Sequence, residues 1–187
     1  MSLQYIVLGL LRQMGAHTGY DLKQVIDQST QHFWYCDYSQ IYRALDSLDQ
    51  AGWVTFTEDV STQRQRKIYR ITPAGEAALK TWLAQAFEIE PARRPELARL
   101  FFGGLADVNR LREQVLAYRE FYENLLLTFQ TLQPKLESEQ QEHPTDAVFW
   151  LITLDNGLEI AQAYINWCNR TLQRLETLAQ QKQEGNS

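Results

Sequence analysis

The sequence is short of almost everything that catalysis or metal binding requires. Its 187 residues include only two cysteines and three histidines. Cys36 and Cys168 stand far apart and form no CxxC pair, which argues against a disulfide scaffold or a structural zinc site. His17, His32 and His143 are scattered without metal-ligand spacing, so no metal is expected. There is no GxSxG, no glycine-rich phosphate loop and no HExxH, so neither an enzyme nor a bound cofactor is expected. No apolar run is long enough to cross a bilayer. The opening MSLQYIVLGLLRQMG is apolar but brief, with no basic start and no small-residue cleavage pattern. It reads as a buried helix rather than a signal peptide. No membrane partner is implied, and the cytoplasm is the expected address.

An excess of positive charge is also missing, since the net charge is −5. The shortage is uneven. Residues 1–88 carry eight Lys/Arg against nine Asp/Glu, and residues 89–187 carry ten against fourteen. Residues 63–72 hold four basic residues and no acidic one. Local charge, not net charge, decides where a phosphate backbone docks. With 44% hydrophobic and 22% charged residues, the chain has the composition of a globular protein with a real core.

What is present is organised in two parts. Leu3, Ile6, Val7, Leu10 and Leu11 recur at helical spacing until Gly15 interrupts them. Thr18 can cap a second helix whose buried face carries Tyr20 or Leu22, with Val25 and Ile26. Asp37 or Ser39 opens a third helix in which Ile41, Leu45 and Leu48 face inward, and Gly52 is its expected stop. The period then changes. WVTFTEDV and RKIYRIT are rich in β-branched and aromatic residues, and Ser61-Thr62-Gln63 between them forms a polar tip, which makes a β-hairpin. Thr72-Pro73 ends the second strand and starts a fourth helix, with Thr as N-cap and Pro at the first position. Helix, helix, helix, hairpin, helix is the order of a winged helix-turn-helix.

IEPARRPE is the best linker, dividing the chain into domains 1–88 and 89–187. After a short helix, PELARLFF, ending at Gly103-Gly104, two long stripes follow. Val108, Leu111, Val115, Tyr118, Tyr122, Leu125, Phe129, Leu132 and Leu136 form the first. Leu151, Leu154, Leu158, Ala161, Ile165, Cys168, Leu172, Leu175 and Ala179 form the second. Steps of three and four sustained this long predict long helices packed in coiled-coil fashion. Pro134 should kink or end the first near Leu132. HPTD, at 143–146, starts the last helix, which to Lys182 would measure about 55 Å at ~1.5 Å per residue. Such a helix is longer than its own domain can cover, so a second chain is expected, although both stripes can also close on each other as an intramolecular hairpin. Trp150, Tyr164 and Trp167 beside the second stripe call for a further contact surface. The expected dimer residues are Val115, Tyr118, Tyr122, Leu125, Leu151, Leu154, Leu158, Ile165, Trp167 and Leu172.

The block LGLL…HTGYDLKQVI…FWYCDYSQIYRALDSLDQAGWV…RQRKIYRITPAGEAAL resembles the PadR family of transcriptional regulators over roughly residues 3–85. The C-terminal half, with Ala-x-x-Tyr-Ile-x-Trp in its last helix, is similar to the longer branch of that family that includes virulence-gene activators. The resemblance implies a mainly α fold with a small β-hairpin: an N-terminal winged helix-turn-helix and a C-terminal antiparallel long-helix dimerisation domain. It further implies a homodimer on a palindromic operator, acting as repressor or activator. Some relatives bind flat aromatic ligands, so Trp150, Tyr164 and Trp167 line a candidate effector pocket, and an aromatic small molecule is a possible partner.

Double-stranded DNA is the main expected partner, and the third helix carries the reading residues. Burying Ile41, Leu45 and Leu48 leaves Ser39, Gln40, Tyr42 and Arg43 on the opposite face. Gln40 can pair with adenine and Arg43 with guanine, while Tyr42 can meet a phosphate or a thymine methyl. Asp46 and Asp49 restrict the approach to the first two turns. Gln63, Arg64, Gln65, Arg66 and Lys67 suit phosphate or minor-groove contact from the hairpin, although charges on an edge strand also serve to block aggregation. Thr18 and Tyr20 open the second helix, where free N–H groups favour an anion; Tyr20 can equally be core. Phe33 and Trp34 are expected to pack, and Gly75 marks a close approach. The competing reading is a helical adaptor that keeps the winged helix without using it on DNA.

Overall fold

Three amphipathic helices, α1 (Ser2–Met14), α2 (Gly19–Gln28) and α3 (Tyr38–Gln50), open the chain. The structure is a computed structural model that describes residues 2–30, 32–59, 66–89 and 92–184. The chain divides into two units, Met1–Glu90 and Pro91–Ser187. Among the described residues no helix is long and apolar enough to cross a membrane.

In the first unit, Val7, Leu8 and Leu11 of α1 meet Leu22 and Ile26 of α2 and Ile41, Leu45 and Leu48 of α3 in one core. Of the two alternatives on α2, Leu22 is buried and Tyr20 is exposed. α3 ends in a Schellman motif. The Trp53 N–H donates to the Leu48 carbonyl at 2.9 Å and the Gly52 N–H to the Asp49 carbonyl at 2.9 Å. Gly52 takes a φ of 71°, which a side chain would resist. β2 (Val54–Asp59) and β3 (Arg66–Ile71) then pair antiparallel from Val54↔Ile71 to Asp59↔Arg66. The expected tip, Ser61-Thr62-Gln63, lies outside the described residues. A two-residue strand that the sequence reading lacked, β1 (His17–Thr18), joins the far side of β3 and gives the order β1-β3-β2. Val54 and Tyr69 bring the sheet into the core.

Thr72 caps α4 (Pro73–Leu83) by accepting from the Gly75 N–H, with Pro73 in the first turn. The expected close approach at Gly75 is real. A Cβ there would stand 2.1 Å from the Trp53 carbonyl oxygen. Phe33 corrects the expectation of packing: it is exposed, and only Trp34 is half-buried. The loop before α3 turns Cys36 inward instead, burying it beside α2.

The second unit contains α5 (Pro95–Phe101), a 3-10 turn (Gly103–Leu105), α6 (Val108–Glu139) and α7 (Pro144–Glu184). α6 and α7 pack antiparallel. Tyr118 lies near Trp167, Tyr122 near Tyr164, and Phe129 against Gly157, where a Cβ would come within 2.8 Å of the ring. α6 does not end near Leu132; it runs through Pro134. One lost backbone hydrogen bond and a ring clash cost about 3 kcal/mol in a helix. Phe129, buried before the proline, and Leu136, half-buried after it, hold both sides of the break. α7 has 41 residues, so it measures about 62 Å at ~1.5 Å per residue.

Gly75→Ala is expected to lower the stability of the first unit by about 3 kcal/mol, because its Cβ meets backbone that cannot swing aside. Gly9→Ala in α1, with nothing within 4 Å of the added Cβ, should not lower it. Urea midpoints check both, and equal midpoints for the two variants would overturn the packing account.

Candidate nucleic-acid interface

The face of α3 that points outward is set by the face that is buried. Ile41, Ala44, Leu45 and Leu48 are inside, which leaves Ser39, Gln40, Tyr42, Arg43 and Asp46 exposed. The first turn is tightly ordered. Asp37 Oδ1 accepts from the Gln40 N–H at 2.8 Å and from the Ser39 hydroxyl at 2.7 Å. In return the Asp37 N–H donates to Gln40 Oε1 at 2.9 Å, closing a capping box. Arg43 folds back one turn, its Nε donating to the Ser39 carbonyl at 3.3 Å. The Ser39 hydroxyl, and then the Gln40 N–H, hold the Asp37 carboxyl below its ordinary value of 3.8. Gln40 and Arg43 also line a groove of about 380 Å³ with Leu3 and Gln4 of α1, which brings Gln4 beside the reading face.

The start of α2 lies against this turn. A Cβ on Gly19 would fall 2.7 Å from the Tyr42 ring and 3.1 Å from Leu45. Glycine is therefore what lets the two helices meet and seats Tyr42. Tyr20 is exposed and stacks on Tyr38 at 5.9 Å, its hydroxyl accepting from Gln24 Nε2 at 3.0 Å. Lys23, buried despite its charge, is ion-paired with Asp27 and lies 5.4 Å from the Tyr38 ring centroid. Tyr38 and Lys23 escaped the sequence reading, since a lysine in a helix is ordinarily solvated.

Thr18 caps α2, as expected, through a reciprocal box with Asp21. Its hydroxyl donates to Asp21 Oδ2 at 2.7 Å and its N–H to the same oxygen at 3.0 Å, while the Asp21 N–H donates back to the Thr18 hydroxyl. The Asp21 carboxylate thus takes up the N–H and hydroxyl of Thr18 at the start of α2. The Thr18 hydroxyl lowers the Asp21 carboxyl's pKa, with smaller contributions from His17 and Arg66.

Of the hairpin cations, Arg66 and Lys67 are exposed; Gln63 and Arg64 lie outside the described residues. Lys67 Nζ sits 4.1 Å from the centroid of the Phe56 ring. Lys67 faces Glu58 and Arg66 faces Asp59 across the ladder. Arg70, opposite Thr55, is a further exposed cation that the sequence reading did not select.

In the second unit, Val115, Leu154 and Ile165 of the expected dimer set are buried within the single chain, between α6 and α7. Tyr118, Tyr122, Leu125, Leu151, Leu158, Trp167 and Leu172 are half-buried along the same seam. The apolar surface this pair leaves outward is carried by residues the stripes omitted. Phe121, Leu127, Phe149 and Ile152 are 59%, 62%, 63% and 58% exposed. Of the aromatic trio, Tyr164 and Trp167 join Tyr118 and Tyr122, with Tyr122 and Tyr164 stacked at 4.3 Å. Trp150 is not in this cluster and pairs with His143 instead. Arg94 lies 5.1 Å from the Tyr164 ring centroid, and the Tyr118 hydroxyl donates to Glu96 at 3.4 Å. Burial, reinforced by Tyr122, pushes the Tyr118 hydroxyl's pKa far up, so the phenol is neutral. Among the described residues, Glu139, Glu142 and His143 form an exposed cluster of metal-capable side chains.

A helix with an ordered, exposed polar first turn beside a cationic hairpin defines a winged helix-turn-helix protein of the DNA-reading class. Residues 7–81 match the transcriptional regulator PadR-like family, and residues 92–176 match the virulence activator alpha C-terminal domain. The chain belongs to the PadR-like transcriptional regulators, in the branch with that C-terminal domain. The negative transcriptional regulator PadR of Bacillus subtilis is 26% identical over 93% of this chain and 97% of its own. A probable transcriptional regulator of Mycobacterium tuberculosis is 26% identical over 94% and 98%. Bacillus subtilis PadR solved with operator DNA has 25% identity and a TM-score of 0.81, covering 94% of this chain and 98% of that one. The Vibrio cholerae virulence activator AphA has 25% identity and a TM-score of 0.76, covering 94% and 99%.

Both capping carboxyls titrate below their ordinary value in the folded chain. Their stabilisation is therefore complete above the unfolded value of 3.8 and is lost as pH falls through the lowered folded values. Between about pH 4.5 and 2.5 the wild-type urea midpoint should fall more steeply than that of a variant carrying Asp21→Asn and Asp37→Asn. Parallel pH profiles would overturn the assignment.

Proposed function

We propose that the chain acts as a homodimer that binds a palindromic operator, with residues 1–88 reading DNA and residues 89–187 joining two copies. The observation that carries this reading is the exposed first turn of α3, where Ser39, Gln40, Tyr42 and Arg43 project together beside Tyr20. A helix that enters the major groove reads base edges from its N-terminal residues. Arg66 and Lys67, with Arg64 beyond them, supply phosphate contacts. Thr18 holds the start of α2 in place. The exposed Phe121, Leu127, Phe149 and Ile152 support a second copy packed on the α6–α7 pair. Two copies then present two α3 helices to half-sites about 34 Å apart, one turn of duplex. The protein acts by binding rather than catalysis, in the cytoplasm.

Operator binding should fall linearly in log–log terms with salt. Arg66→Ala should make the slope shallower by about one per lost phosphate contact. Arg43→Ala should weaken specific sites by about 1–3 kcal/mol per contact and relax specificity. Light scattering should give the mass of two chains. A protein that binds no duplex specifically at low salt would be the helical adaptor, and a one-chain mass at micromolar concentration would sink the dimer.

A second reading concerns an effector. Bacillus subtilis PadR has also been solved with p-coumaric acid. Tyr118, Tyr122, Tyr164 and Trp167, with the Arg94 cation beside them, offer flat faces and a charge suited to an aromatic carboxylate. Titrating with p-coumarate should quench tryptophan fluorescence saturably, and Trp167→Phe should remove that component. An unsaturable response in the wild type would exclude this ligand.

A further inference from the structure

The capping box does more than end a helix, because it decides which hydrogen-bonding atoms the reading face can show. The Asp37 N–H can only donate, so the Gln40 amide atom facing it at 2.9 Å must be the carbonyl oxygen. Gln40 is exposed, and the group left to face outward is its NH₂. Ser39 is constrained in the same way: its hydroxyl proton goes to Asp37 Oδ1, and Arg43 Nη2 approaches its oxygen at 3.5 Å. What the first two turns of α3 present is thus a set of donors, from Gln40 and Arg43.

Reading adenine with a glutamine requires both amide atoms at once, the oxygen for N6–H and the nitrogen for N7. Adenine's N6–H would have to share an oxygen that the cap already turns toward the Asp37 N–H, while the outward NH₂ met N7 alone. Guanine, with N7 and O6, and thymine, with O4, show a donor only acceptors, whereas adenine sets an N6–H donor beside its N7. We propose that Gln40 is a specificity-determining residue that reads an acceptor edge, guanine or thymine, and that Asp37 is the positioning residue that fixes this polarity. The inference rests on the operator-binding reading above and replaces the adenine pairing suggested by residue type alone.

Binding-site selection on random duplex DNA tests it with the full-length wild type, Gln40→Ala and Gln40→Glu. Glutamate at this position keeps the box, because one carboxylate oxygen can accept from the Asp37 N–H while the other faces outward as an acceptor. The position read by Gln40 is the one that loses its preference in Gln40→Ala. It should be guanine or thymine in the wild type, with about tenfold discrimination. In Gln40→Glu it should become cytosine, whose N4 amine is a donor. Circular dichroism confirms that α3 remains formed in both variants. Adenine at that position, or an unchanged selection in both variants, would overturn the proposal while leaving operator binding standing. If the wild type enriches no sequence, the operator reading itself falls and takes this inference with it.

Discussion

Everything at the reading face follows from the burial of one side of α3. With 3.6 residues per turn, placing Ile41, Leu45 and Leu48 in the core fixes the direction of every other side chain on that helix. Both ends are then tied down. Gly19 lets the start of α2 press on Tyr42 and Leu45. At the other end the Schellman motif delivers the chain to Trp53, whose carbonyl accepts from the Thr72 N–H at 3.0 Å. The Thr72 hydroxyl donates to the Gly52 carbonyl at 2.7 Å, and Gly75 packs beneath. The end of the reading helix, the base of the hairpin and the start of α4 thus form one junction. The hairpin and α3 cannot tilt independently without breaking it.

Charge is arranged as locally as geometry. Two of the three cations in the described ladder stand opposite an acid in the register, Lys67 to Glu58 and Arg66 to Asp59, while Arg70 stands opposite Thr55, and Arg66 also acts on Asp21. Opposed charges stabilise the strands but weaken long-range attraction for phosphate, which salt already screens beyond about 8 Å. The net charge of −5 acts in the same direction. In the operator-binding reading proposed above, specific contacts from α3 then carry more of the binding, and pairing two such surfaces is the direct way to recover affinity.

The winged helix was legible because its signals are local: helical spacing in α1 to α3, Gly52 as a stop, Thr72-Pro73 as a start. β1 was not, since two residues have no periodicity and pair only because β3 passes beside them. The exposed residues of α3 followed from the buried stripe, but the hydrogen bonds among them did not. The Asp37-x-x-Gln40 spacing was the available signal, and weighing side chains one at a time concealed that Gln40 answers first to Asp37. Lys23 lay hidden because its burial depends on Asp27 and Tyr38 together. Of the two outcomes expected at Pro134, a kink or an end, the end does not occur, because a neighbouring helix supplies the packing. The stripes of α6 and α7 were read correctly as apolar seams, yet periodicity cannot say whose seam it is. Val115, Leu154 and Ile165 are closed by the chain itself.

That closure gives the second unit an uneven grip along its length. Leu111 and Val115 are buried toward the start of α6, and Phe129 is buried on Gly157 further along. Between them stand Tyr118 and Tyr122, half-buried, with Tyr164 and Trp167 opposite. Arg119 bridges the helices nearby, donating to Asn169 at 3.1 Å and pairing with Glu123. Two buried stretches of α6 therefore flank a segment of large, polar-tipped rings that reach the surface. Because α7 is about 62 Å long at ~1.5 Å per residue, a small change in ring packing there moves its far end by more than the local shift. A molecule that wedged among those rings would act on the α6–α7 angle, and through it on whatever surface a second copy covers.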